Sequence, residues 1–143
     1  MIKCLSHVAL CVSDLNRSLG FYSELLRMTV VMDLDISDCR ISRLVGIPAA
    51  RCRIVHLKLG QTVLELFHYN FPEGLSIAKG MRQCDRGFTH IGFEVDDFDQ
   101  QLERLKTAKV DFLGEPVEFR PGVWVVYFRG PDGEVCEFRQ QLQ

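Results

Sequence analysis

Two stretches of the chain repeat each other, and that repeat limits the possible folds more than any other feature. Residues 7–15 read HVALCVSDL and residues 90–98 read HIGFEVDDF, an offset of 83 positions. Each opens on His, alternates apolar residues, and reaches a final apolar residue through Val and an acid-containing pair. Strict alternation marks a half-buried strand. Helical spacing follows in both places, at Leu15, Leu19, Tyr22 and Leu26 and again at Phe98, Leu102 and Leu105. Ser13 or Asp14, and Asp96 or Asp97, stand where N-caps belong.

The two halves also end alike. QTVLELFHY at 61–69 carries Glu65 in its middle, and GEVCEFRQ at 133–140 carries Glu137 in the matching place. Gly60 precedes the first of these runs, and Pro131-Asp132-Gly133 marks a turn before the second. Two further strands fit between helix and last strand in each half, at 28–33 and 52–59 and at 116–120 and 123–129. The expected fold class is α+β, two paired β-α-β-β-β modules forming a curved, cup-like mixed sheet. The first module spans 1–69, with an insertion near 34–51 that carries a short helical stripe (Ile41, Leu44, Val45) over one mouth of the sheet. A linker occupies 70–88 and the second module 89–143, the whole forming one domain.

Composition narrows the function classes. Hydrophobic residues make up 47% and charged residues 25% of 143, which are ordinary globular values. A net charge of −2 leaves no basic excess to neutralise phosphates, so no nucleic-acid partner is expected. No apolar run approaches the roughly 20 residues of a membrane helix, and Met1, Ile2, Lys3 and Cys4 do not open a signal-peptide pattern. The six cysteines form no C-x-x-C pair and mostly sit in apolar runs, as buried thiols of a reducing, cytoplasmic setting would.

Alternation puts Leu5, His7, Ala9 and Cys11 on one strand face, and His90, Gly92 and Glu94 on one face of the matching strand. Val63, Glu65, Phe67 and Tyr69 share a face, as do Val135, Glu137 and Arg139. One such His or Glu is usually structural. Here His opens and Glu closes the half twice over, and a shared function explains the repetition better than chance does. A buried carboxylate needs a partner, and a divalent cation held by His7, Glu65, His90 and Glu137 would satisfy all four. Two imidazoles and two carboxylates suit Ni, Co, Zn, Mn or Fe better than Ca or Mg. Tyr69 could line the pocket or pack as a core aromatic. Trp124 and Phe128 are core or pocket wall, and His56 and His68 read as structural.

HVAL, LELF, THIGFEV and PDGEVCEF, in this order and at this spacing, make the chain resemble the vicinal oxygen chelate superfamily. That group includes glyoxalase I, methylmalonyl-CoA epimerase, extradiol dioxygenases, fosfomycin-modifying enzymes and bleomycin-binding proteins. The resemblance covers nearly the whole chain. It implies metal ligands on the first and last strands of each half, which match His7, Glu65, His90 and Glu137, the set seen in bacterial glyoxalase I. It also implies a homodimer acting on a small-molecule substrate. The metal would polarise a carbonyl while a carboxylate moves the neighbouring proton, with Glu137 in that role and Glu65 its counterpart. The resulting expectation is a metal-dependent isomerase or lyase, lactoylglutathione lyase-like or methylmalonyl-CoA epimerase-like. The alternatives are an extradiol-type dioxygenase and a non-catalytic drug-binding resistance protein. Cys11 stands where glyoxalase I carries an Arg for the glutathione carboxylate, and a thiol cannot supply that positive fork. Glu94 is a second partner to the ligands, a substrate contact, a base, or a solvated carboxylate.

Overall fold

The computed structural model describes residues 1–76 and 81–142. Two compact units divide the chain, Met1–Leu75 and Ser76–Gln143. Each holds one open four-stranded mixed sheet.

In the first unit β1 (Val8–Cys11) leads into α1 (Leu15–Leu19). Asp14 caps this helix, its carboxylate accepting from the Arg17 N–H at 3.0 Å. That N–H holds the Asp14 carboxyl below the usual carboxylate range. The helix then widens into a π-helical turn over Gly20–Leu25, with the Leu26 N–H bonded to the Phe21 carbonyl. Leu15, Tyr22 and Leu26 are buried, as their spacing predicts. β2 (Thr29–Ile36), α2 (Cys39–Val45), β3 (Arg51–Leu59) and β4 (Thr62–Phe71) follow. The sheet order is β1-β4-β3-β2, with β1 parallel to β4 and the other pairs antiparallel. Gly60, at φ 58°, opens the two-residue turn that joins β3 to β4.

The expected insertion is only partly an insertion. Its first residues extend β2 to Ile36, because alternation continues through Met32, Leu34 and Ile36. On the opposite face Asp33 is paired with Arg53 of β3 at 2.6 Å. The rest forms α2, whose Ile41 packs with Ala50, Cys52 and Ile54 and against Phe67 and Tyr69. Leu44, expected in the same stripe, is exposed. β4 reaches Phe71, two residues into the segment read as a linker, and residues 77–80 of that segment lie outside the described residues.

The second unit repeats the topology as β5 (Ile91–Glu94), α3 (Phe98–Thr107), β6 (Val117–Arg120), β7 (Val123–Arg129) and β8 (Val135–Gln141), in sheet order β5-β8-β7-β6. Asp97 caps α3 through the Gln100 N–H. Phe98, Leu102 and Leu105 of the helix are buried, as are Val126, Phe128, Cys136 and Phe138 of the sheet. Phe128 and Phe138 meet edge to face at 4.7 Å, a favoured aromatic geometry. Trp124, on the Phe128 side of β7, tilts against Phe98 at 6.1 Å but is exposed, whereas Phe128 is a core residue. No disulfide joins the six cysteines, of which Cys52 and Cys136 are buried.

Candidate metal centre

Strand register builds a His–Glu pair in each unit, on the sheet face away from the capped helix. In the first, β1 runs parallel to β4 with Ala9 beside Glu65 and Cys11 beside Phe67. His7, two residues before Ala9, shares that face, and its Nε2 lies 3.4 Å from Glu65 Oε2. In the second, β5 runs parallel to β8 with Gly92 beside Glu137. His90 Nε2 lies 2.7 Å from Glu137 Oε2. Both glutamates are nearly buried, their side chains 12% and 13% exposed. The neighbours beside them on the first strand, Ala9 and Gly92, are small. A Cβ added at Gly92 would touch Glu137 Oε2 at 3.9 Å, so glycine leaves the most room at this carboxylate.

The residue before each histidine repeats as well. Ser6 Oγ lies 2.9 Å from His7 Nδ1, and Thr89 Oγ1 lies 2.9 Å from His90 Nδ1. A hydroxyl engaged at Nδ1 leaves Nε2 to face the carboxylate.

Two residues read as structural, or not singled out, join these pairs. His56 Nε2 lies 2.5 Å from Glu65 Oε1. Tyr127 stands opposite Glu137 across the β7–β8 pairing and packs edge-on against the His90 ring at 5.1 Å. Burial first, then the neighbouring Glu137 carboxylate, push the Tyr127 phenol above its ordinary range. The sequence did carry the signal. Counting outward from the Gly60-Gln61 turn puts His56 opposite Glu65, and the β7–β8 register puts Tyr127 opposite Glu137. His68, by contrast, faces the other way and contacts the Val12 carbonyl at 3.2 Å.

The weaker pocket residues divide. Tyr69 stacks on Phe67 at 6.2 Å within the cluster under α2, and burial raises its phenol. Cys11 is exposed at the β1 edge. Glu94 is exposed in register with Arg139.

These residues suit a divalent cation. The described ion pairs of Glu65 and Glu137 are all to histidines, with no Lys or Arg supplying a permanent positive charge. An unprotonated Nε2 and a carboxylate oxygen at such distances repel unless a proton or a cation lies between them. Among the described residues no three such side chains form a metal cluster by themselves. Each unit holds one His–Glu pair.

Comparison with known proteins agrees with the fold. The sequence model of the Glyoxalase/Bleomycin resistance protein/Dioxygenase superfamily matches residues 5–138, and the chain belongs to that superfamily. A lactoylglutathione lyase of Pseudomonas aeruginosa is 34% identical over 94% of this chain and 81% of its own length. The human mitochondrial methylmalonyl-CoA epimerase is 32% identical over 80% of this chain and 58% of that protein. A crystal structure of a glyoxalase family protein from Bacillus cereus superposes with a TM-score of 0.92 at 19% identity, covering 100% of this chain and 97% of that one. That likeness is one of fold. Among the described residues no helix is long and apolar enough to cross a membrane.

Proposed function

We propose that the chain is a divalent-metal-dependent isomerase or lyase that moves a proton next to a carbonyl of a small metabolite or thioester. One observation carries the reading. The same His–Glu pair, with Nε2 against a nearly buried carboxylate, occurs at equivalent places in both units. His7, Glu65, His90 and Glu137 are the residues that would hold the metal, and Ni, Co, Zn, Mn and Fe suit this donor set. Bound there, the metal would supply Lewis acidity, polarising a carbonyl oxygen and stabilising the negative charge that develops. The lyase and the epimerase among the relatives support the reaction class.

Glu137 takes and returns the proton, and Glu65 does so for the opposite face of the substrate. Ala9 and Gly92 keep the approach to each carboxylate clear. Cys11, where a guanidinium would grip a glutathione carboxylate, favours a substrate recognised by other contacts, of which exposed Glu94 is a candidate. The protein works as a homodimer in the cytoplasm.

The test is α-proton exchange in deuterated water, run with metal-loaded protein on a panel of thioesters and 2-oxo aldehyde–thiol adducts. Glu137→Gln should slow exchange by about 10²- to 10⁴-fold, the usual contribution of a positioned base, while retaining part of the bound metal. Full activity in that variant would rule Glu137 out as the base.

A further inference from the structure

The duplication extends beyond the four repeated residues. In each unit a ring on the third strand meets the glutamate of the fourth. His56 stands opposite Glu65 and Tyr127 stands opposite Glu137, each fixed by hairpin register. The rings differ, so the likeness is one of place, not of residue.

The contacts divide each carboxylate between two jobs. At Glu65, His56 Nε2 addresses Oε1 at 2.5 Å, while His7 Nε2 addresses Oε2 at 3.4 Å. At Glu137, Tyr127 stands directly opposite on β7 with its ring against that of His90, and His90 Nε2 addresses Oε2 at 2.7 Å. The last torsion of a glutamate is broad and weakly restrained. Without a second partner the carboxylate would rotate freely about it. A donor on the far side fixes its plane and keeps one oxygen turned toward the histidine. His56 is one-quarter exposed, sheltered enough for such a bond to persist.

We infer that His56 and Tyr127 are positioning residues that hold Glu65 and Glu137 in the orientation the metal requires. The inference rests on the metal-site reading above. Outer partners of this kind commonly change metal affinity by about 10- to 100-fold.

Co(II) alone is the probe, titrated into the full chain and followed by its visible absorption, which reports both affinity and ligand set. His56→Phe and Tyr127→Phe should each raise the Co(II) Kd by about tenfold or more. His56→Gln keeps an N–H donor toward Glu65 and should restore most of the affinity with the wild-type absorption band. Thermal unfolding of the metal-free variants shows whether each is folded. Tyr127→Phe removes one oxygen atom and decides the matter if a His56 variant does not fold. Unchanged affinity in both Phe variants would overturn the inference and leave the metal reading intact. A His56→Gln variant as weak as His56→Phe, with an altered band, would also overturn it, because His56 would then be a ligand. A wild-type chain that does not bind Co(II) would overturn both.

Discussion

Single polar atoms in this protein are either engaged or costly. Ser18, on the inner side of α1, is wholly buried, and its Oγ has no hydrogen-bond partner among the described residues. An orphaned buried hydroxyl keeps its full desolvation cost. Ser18→Ala should therefore raise stability by about 1 kcal/mol, measured as an increase in the urea midpoint with unchanged slope. A destabilised variant would mean that the hydroxyl has a partner after all. Glu65 and Glu137 are the opposite case, each met by two side chains. At this scale the sequence was most legible where it repeated itself. His7, Glu65, His90 and Glu137 could be named from the repeat alone. His56 and Tyr127 could not, because they are unlike residues made equivalent only by strand pairing.

Elements were legible where a period and a stop coincided. β7, bounded by Gly122 and Gly130, falls at the expected 123–129. β2 runs past its expected end at 33 to Ile36 because Leu34, Asp35 and Ile36 pair with Ile54, Arg53 and Cys52 of β3, a strand that lies beyond α2 in the chain. A local reading cannot see that partner. The π-helical turn after α1 was also hidden, since apolar spacings of three and four fit either helix. The Asp33–Arg53 pair carries a pH prediction. Arg53 holds the Asp33 carboxyl below its ordinary value of 3.8. A depressed folded value stabilises above 3.8 and is lost as pH falls through the folded value. Asp33→Asn should thus flatten the acid limb of the stability–pH curve. The change should be under about 1 kcal/mol, because both side chains are some two-fifths exposed. An unchanged limb would mean the pair does not form in solution.

At the scale of the whole molecule, the chain is one supersecondary unit used twice, and its chemistry is duplicated with it. Each unit offers one imidazole and one nearly buried carboxylate, fewer than the usual three or four ligands of a zinc-type site. Both repeated His–Glu pairs are proposed to bind metal. That proposal is tested most directly by equilibrium dialysis of the wild-type chain, His7→Ala and His90→Ala against excess Ni(II), followed by metal analysis. Metal in the wild-type chain and a lowered metal content in either variant are expected if both histidines are ligands. Full metal content in His90→Ala, or a wild-type chain that takes up no metal, would contradict the proposal.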